Sequence, residues 1–154
     1  MRSAELEELW PGLATSEYSI TSPQEPRPNC IGWALGDTNQ FWEPGPPTVG
    51  YYWPPNAPQD DSLGSWIRVF ELYGYRTSTS AEFEPGKEKV AIYLGLDGLP
   101  SHVARQKASG LWTSKLGKLE DIRHDTLEAL VGDEYGTIAQ IMERPREGEG
   151  VLLG

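Results

Sequence analysis

The single cysteine of this 154-residue sequence is the side chain best suited to act as a nucleophile. Cys30 follows Asn29, a good helix N-cap because its side-chain oxygen accepts a hydrogen bond from the first turn. Apolar residues then recur at Ile31, Ala34 and Leu35, which is the spacing of one helix face. We therefore predict that a short helix begins at Cys30. The positive end of that helix favours the thiolate, which is the nucleophilic form of cysteine.

His102 is the predicted base for this thiol. It lies in the strand-like segment 101–107, which follows the apolar segment 90–95 across a loop with an Asp-Gly pair, a strong hairpin signal. Thiol chemistry requires cysteine and histidine to be close in space rather than in sequence. His124 is the alternative base, but its charged neighbours favour an exposed position that caps a helix.

A third group must orient the imidazole of His102 through its second nitrogen. If residues 108–109 form a two-residue turn, His102 faces Lys115 on the next strand, and Ser114 and Lys115 are the nearest polar groups. Lysine cannot accept a hydrogen bond from an imidazole, so Ser114 is the predicted third catalytic residue. Asp121 is the alternative if the chain folds back. Lys115 then binds a substrate carboxylate or has a structural role.

The segment 37–60 carries five large aromatic side chains among six prolines. Proline interrupts the hydrogen bonding of helices and sheets, so this mixture excludes a long regular element. We predict that the segment forms the wall of a substrate cleft, with Trp42 and Trp53 as substrate-binding residues. The alternative is that the aromatic rings fill the core beneath a long loop.

Composition limits the class of protein. The formal net charge of −10 and the pI of about 4.6 disfavour binding to nucleic acids or anionic membranes. One cysteine rules out an intrachain disulfide and fits a reducing compartment. The sequence has no signal-peptide pattern at its start and no apolar run near the roughly 20 residues of a membrane span. We expect a cytoplasmic protein, and delivery as an effector stays open.

No cofactor is expected. Cys30, His102, His124 and Asp121 lack the paired spacing of metal ligands, so no metal site is predicted. The expected partner is a protein or peptide, as substrate or as ligand, and the oligomeric state is left open.

The whole chain, 1–154, is expected to form one domain with its core at about 14–145 and a flexible tail at 145–154. Hydrophobic periodicity predicts three antiparallel strands in a meander, each preceded by a turn signal. The predicted elements are a helix over 3–10, a loop over 14–28, a helix over 62–73, strands over 75–80, 90–95, 101–107, 111–116 and 136–144, and a helical segment within 120–131.

A helix-borne Cys30 followed by a strand-borne His102 resembles the papain-like superfamily of thiol hydrolases, especially its compact bacterial branches of cell-wall amidases and endopeptidases. The resemblance implies an α+β fold with a papain-like core, in which an N-terminal helix carrying the cysteine packs on an antiparallel β-sheet carrying the histidine. It implies thiol-dependent hydrolysis of an amide, as a cysteine peptidase, amidase or deamidase. It also implies that Gln24, six residues before the cysteine, donates to the oxyanion.

Motifs are spread over roughly residues 25–145, at Asn29 to Ala34, Tyr52 to Pro54, His102 to Arg105, Trp112 to Gly117, Asp121 to His124, and Tyr135-Gly136. On these motifs the chain also resembles an uncharacterised bacterial domain family. No activity is known for that family, so the resemblance leaves the substrate open. A second function from another class is a non-catalytic protein-binding module of the same fold, which uses the aromatic loop 41–53.

Overall fold

The computed structural model describes residues 3–22, 41–42, 51–54, 62–116 and 121–145. These residues form helices, two short 3₁₀ helices and strands. In chain order they are α1 (Ala4–Leu9), a 3₁₀ helix (Pro11–Thr15), β1 (Tyr18–Ser22), β2 (Phe41–Trp42), β3 (Tyr51–Tyr52), α2 (Leu63–Leu72), β4 (Arg76–Ser78), β5 (Lys87–Leu94), β6 (Pro100–Gln106), β7 (Trp112–Lys115), β8 (Asp121–His124), a 3₁₀ helix (Glu128–Leu130) and β9 (Thr137–Pro145).

An antiparallel sheet organises the described residues. Its seven strands run in the order β1-β8-β7-β6-β5-β9-β4, and each neighbouring pair is antiparallel. The interior strand β5 carries six consecutive buried residues, because it is covered on both faces. The two-residue strands β2 and β3 form a separate parallel pair.

The sheet buries a different set of side chains on each face, since successive residues of a strand point to opposite sides and cross-strand partners share a side. We define the histidine face by Tyr93, His102, Ser114, Ile122 and His124. Its apolar residues form one core cluster with α1 and both 3₁₀ helices.

We define the α2 face by Val90, Ile92, Val103 and Met142, which pack in a second core cluster with residues of α2. The helix begins after Ser62, whose side-chain oxygen accepts a hydrogen bond from the Ser65 backbone N–H at 3.2 Å. No helix in the described ranges is both long and apolar enough to cross a membrane.

The predicted papain-like core is wrong. The described residues are dominated by the seven-stranded antiparallel sheet, and the α-helices that pack on it, α1 and α2, carry no cysteine. The reason is that two segments predicted as loop or helix are strands instead. Part of the predicted loop 14–28 forms β1, and the start of the predicted helical segment 120–131 forms β8. These two strands pair with each other and extend the meander. The predicted helix at Cys30 lies outside the described residues.

Candidate functional site

His102 lies on β6 within the core of the histidine face. Only 1% of its surface is exposed. Its ring stacks on the ring of Tyr135, with a centroid distance of 4.1 Å and an angle of 2° between the planes. The Ser101 hydroxyl donates to the Tyr135 backbone oxygen at 2.5 Å, so the stacked tyrosine is hydrogen-bonded to the start of β6. On the neighbouring strand, Tyr93 pairs with His102.

A continuous series of hydrogen bonds runs from His102 to the backbone near β8. The Nε2 atom of His102 lies 3.0 Å from Oγ of Ser114, and the same Oγ lies 2.9 Å from Nε2 of His124. The Nδ1 atom of His124 lies 2.8 Å from the backbone oxygen of Thr126. The serine hydroxyl therefore joins the two buried imidazoles.

This series fixes the position of each proton when both histidines are neutral. The Thr126 carbonyl can only accept, so Nδ1 of His124 carries a proton and its Nε2 is an acceptor. The Ser114 hydroxyl then donates to His124 and accepts from Nε2–H of His102. A neutral His102 in this arrangement carries its lone pair on Nδ1.

Both imidazoles are neutral near pH 7. Burial lowers the pKa of His124 to about 4, although the hydrogen bond to Thr126 and the charge of Asp125 oppose the shift. Burial lowers the pKa of His102 well below its usual value, and the nearby His124 lowers it further.

The Nδ1 atom of His102 is buried and has no hydrogen-bond partner within the described ranges. An unsatisfied buried acceptor costs about 1–3 kcal/mol relative to the same atom in water. Because this atom carries the lone pair, it is the point at which the site can accept a proton or a hydrogen bond. Thiol, hydroxyl and amide groups all supply a suitable donor.

The β6–β7 connection determines which side chains of β7 face His102. The predicted two-residue turn is wrong, because the backbone of Lys107 bonds to Leu111 at 2.8 Å and to Gly110 at 2.9 Å, which makes the loop longer by one residue. Gln106 accordingly pairs with Trp112. A shift of one residue moves every side chain of a strand to the other face.

Ser114 therefore lies on the histidine face, in contact with His102. The prediction that His102 faces Lys115 is wrong. Lys115 is buried on the opposite side of the sheet, and its Nζ atom lies 3.7 Å from Oδ1 of Asp121. Asp121, the alternative third residue, is consequently on the α2 side as well.

No contact with His102 is described for the remaining predicted site residues. Trp53 is 7% exposed and packs in the core cluster of the α2 face. Trp42 belongs to β2, where only its backbone is described. Cys30 and Gln24 lie outside the described residues.

The sequence pointed to His124 only as an exposed alternative base, and it predicted neither its contact with Ser114 nor the stacking of Tyr135 on His102. The expectation of an exposed His124 is wrong, since the side chain is buried at the end of β8. The available signal was the alternation Asp-Ile-Arg-His, which places Ile122 and His124 on one face of a strand. Nothing in the local sequence indicates that Tyr135 stacks on His102, because the contact joins distant parts of the chain.

His124 also borders a cavity of about 240 Å³ at the β1–β8 edge of the sheet. The cavity is lined by two carboxylates and one guanidinium, so it provides a polar boundary to the buried series of hydrogen bonds. Its lining residues are Glu17, Tyr18, Ser19, Leu111, Arg123, His124 and Asp125.

No group of three or more His, Cys, Asp and Glu side chains in the described part of the chain is arranged to hold a metal ion. Apart from Nδ1 of His102, the polar side-chain atoms of the buried series bond to one another and to the Thr126 backbone. The hydroxyl and the two imidazoles of this series can pass protons along these hydrogen bonds.

Comparison with known proteins identifies a family but no activity. The family model of a domain of unknown function, DUF7689, matches residues 19–143, a range that contains both histidines and Ser114. No curated protein and no solved structure matches the chain. The expectation of an uncharacterised domain family is confirmed, whereas nothing in the comparisons supports the papain-like resemblance.

Proposed function

The chain belongs to the DUF7689 family of domains of unknown function, and we propose that it catalyses thiol-dependent hydrolysis or transfer at an amide, with Cys30 as nucleophile and His102 as base. The observation that carries the proposal is the buried Nδ1 atom of His102, which holds a lone pair and has no partner among the described residues. A protein or peptide is the proposed substrate. Because a free thiol persists in a reducing environment, the cytoplasm is the proposed compartment.

The path of the chain permits Cys30 to reach this atom. β1 ends at Ser22, which pairs with Asp121, and Asp121 pairs with Lys115 on the next strand. The strand after that is β6, which carries His102 near this same end of the sheet. β1 and β6 are separated by three strand spacings, which amount to about 14 Å. The roughly eight residues from Ser22 to Cys30 span up to about 26 Å when extended.

The burial of His102 determines the form of the proposed mechanism. An imidazole whose pKa is lowered by burial stays neutral, so the resting pair is a thiol beside a neutral histidine rather than an ion pair. The Cys30 thiol transfers its proton to Nδ1 of His102 as sulfur attacks the carbonyl carbon, and the same proton later goes to the leaving nitrogen.

The alternative function, a non-catalytic protein-binding module that uses the aromatic loop 41–53, has less support. A binding surface needs exposed side chains, but Trp53 is buried among the residues of the α2 face. Its packing is typical of a core tryptophan.

Acylation by an activated ester tests the proposed function without knowledge of the natural substrate. The folded full chain is mixed with p-nitrophenyl acetate, release of nitrophenolate is followed by absorbance, and the acetylated residue is located by mass spectrometry. We expect acetylation of Cys30 that is faster than for the denatured chain, because the base assists the attack.

Two variants separate the roles in this assay. Cys30→Ser should remove the acetylated species. His102→Gln keeps a donor for Ser114 where Nε2 stands but has no base where Nδ1 stands, so the rate should fall by about 100-fold. Equal rates for the wild-type protein and His102→Gln would overturn the proposal, as would a thiol that reacts only after denaturation.

A further inference from the structure

The Ser114 hydroxyl touches two imidazoles that otherwise do not share a hydrogen bond in the described structure. Its Oγ atom lies 3.0 Å from Nε2 of His102 and 2.9 Å from Nε2 of His124, so each contact has the length of a direct hydrogen bond. A hydroxyl can donate one hydrogen bond and accept others at the same time. A hydroxyl that accepts from one ring while it donates to the other can transfer a proton between the two rings without movement of a heavy atom.

We propose that Ser114 relays a proton between the two histidines, so that a proton taken up at Nδ1 of His102 appears as positive charge on His124. The inference deepens the proposed function, which supplies the proton from the thiol of Cys30. Ser114 and His124 are positioning residues in this scheme, since they act through His102 rather than on the substrate.

Each bond in the relay is accounted for. The incoming proton bonds to the lone pair of His102 Nδ1, and the Nε2–H bond of that ring breaks as its proton moves to Oγ of Ser114. The original O–H bond of Ser114 breaks in turn, and its proton bonds to the Nε2 lone pair of His124. His102 ends as a neutral ring with its hydrogen on Nδ1, and the serine hydroxyl then donates to His102 instead of to His124.

The polar contacts of His124 make it a better place for the positive charge than His102. Its Nδ1–H group is bonded to the Thr126 carbonyl, and this bond becomes stronger when the ring is charged. The charged side chains that share its cavity are Glu17, Asp125 and Arg123, which together are negative.

The groups around His102 give no such support. It stacks on Tyr135 and lies beside Tyr93, whose hydroxyl donates to the Leu127 backbone oxygen at 2.6 Å. These contacts are made by neutral rings in the core, so a charge that stayed on His102 would lose its hydration without gaining a carboxylate partner from the part of the chain that the structure describes.

Nitrogen-15 NMR of histidine-labelled full-length protein tests the relay through the tautomers of the two rings. At neutral pH we expect hydrogen on Nδ1 of His124 and on Nε2 of His102. On acidification, the first ring to become cationic should be His124, and His102 should change to the Nδ1–H tautomer in the same transition. A His102 that keeps its Nε2–H tautomer while His124 is protonated would overturn the relay, as would a His102 that becomes cationic first.

Two substitutions at the serine provide matched controls. Ser114→Thr keeps the hydroxyl and should keep the coupled change of tautomer, whereas Ser114→Ala removes the hydroxyl and should abolish it. The wild-type titration decides the question by itself if Ser114→Ala fails to fold. In the ester assay, Ser114→Ala should slow acetylation by at least about tenfold and shift its pH profile, and Ser114→Thr should restore both.

The relay and the proposed function can fail separately. The tautomer change does not require the thiol, so it should also occur in Cys30→Ala. A coupled tautomer change without acetylation of Cys30 in the wild-type protein would overturn the thiol function alone. Acetylation that depends on His102 without a coupled tautomer change would overturn the relay alone.

Discussion

Trp53 and His102 lie on opposite faces of the seven-stranded sheet. Trp53 packs in the core cluster of the α2 face, with Trp66 and Phe70 of α2, whereas His102 stacks on Tyr135 in the cluster of the histidine face. The backbone of the sheet separates the two rings. The indole of Trp53 therefore belongs to the packing of α2, and the chemistry around His102 has to be completed by other residues.

Replacing Trp53 with alanine should reduce stability, because the side chain is a core element. We expect Trp53→Ala to lower the free energy of unfolding by about 3–5 kcal/mol, measured by urea denaturation. The matched control is Leu96→Ala in the β5–β6 loop, because Leu96 is 76% exposed. This substitution should change the free energy of unfolding by no more than about 0.5 kcal/mol. Equal effects of the two substitutions would contradict the assignment of Trp53 to the core.

Acid should destabilise the protein through its two buried histidines. Burial holds the pKa of folded His124 at about 4, below the ordinary value of 6.5, and lowers that of His102 as well. At pH values between the folded pKa of His124, about 4, and the ordinary value of 6.5, the unfolded chain binds more protons than the folded protein. The free energy of unfolding should therefore decrease as the pH falls below 6.5, by up to about 1.4 kcal/mol per pH unit for each histidine.

Urea denaturation at pH values between about 7.5 and 4.5 measures this slope. The carboxylate of Glu143 adds to the slope only near the acid end of this range, because Lys87 and Arg76 hold its pKa at about 2 in the folded protein, whereas it titrates at its ordinary value of 4.5 in the unfolded chain. A variant with both His102→Gln and His124→Gln should show a flatter profile than the wild-type protein. The same slope in both proteins would contradict the assignment of the acid effect to these imidazoles.

The elements with strong local patterns could be predicted from the sequence. The helix expected over 62–73 forms as α2 because Ser62 caps it and Gly74, at a φ of +91°, follows its end. The strands expected over 90–95, 101–107 and 111–116 form as β5, β6 and β7, since their apolar residues and turn signals are local.

The arrangement of those elements could not be predicted, because it depends on long-range pairing and on single-residue shifts. β1 and β8 are short strands whose pairing joins residues about a hundred positions apart. The loop before β7 is one residue longer than expected, and this difference alone decides that Ser114 rather than Lys115 shares a face with His102. The sequence therefore indicated the contact between Ser114 and His102, but it did not indicate that Ser114 also contacts His124.

Glu143 should be a large contributor to stability on the β4–β9 side of the sheet. Its carboxylate is 3.0 Å from both Arg76 and Lys87 and 3.8 Å from the fully buried Lys89. Glu143→Gln removes the negative charge and leaves the Lys89 ammonium with Glu84 as its ion-pair partner among the described residues. We expect a loss of about 3 kcal/mol in the free energy of unfolding, because a buried charge loses part of its compensation.

The half-exposed pair of Arg68 and Glu71 on α2, with 3.7 Å between its charged atoms, provides the control for this substitution. Glu71→Gln should change the free energy of unfolding by less than about 0.5 kcal/mol, since exposed pairs are screened by water. If Glu143→Gln lowered the free energy of unfolding by as little as Glu71→Gln, the Glu143 carboxylate would not be needed to compensate the buried charge of Lys89.

Gly136 holds the loop that places Tyr135 over His102. Gly132 and Gly136 exchange two backbone hydrogen bonds of 3.0 and 2.7 Å, and Gly136 has a φ of +77°. A Cβ atom at this position would overlap the backbone oxygen of Leu94, which cannot move without disturbing β5. Gly136→Ala should therefore displace the tyrosine ring and lower the free energy of unfolding by at least about 2 kcal/mol.

Gly98→Ala is the control, because Gly98 has a similar φ of +83° but open space where the Cβ atom would stand. Its cost should be about 1 kcal/mol, from backbone conformation alone. Urea denaturation measures both losses, and the ring signals of His102 report whether Tyr135 still stacks on it. Gly136→Ala should shift those signals while Gly98→Ala leaves them unchanged. Equal losses and unshifted signals in both variants would mean that close packing against β5 does not position the tyrosine.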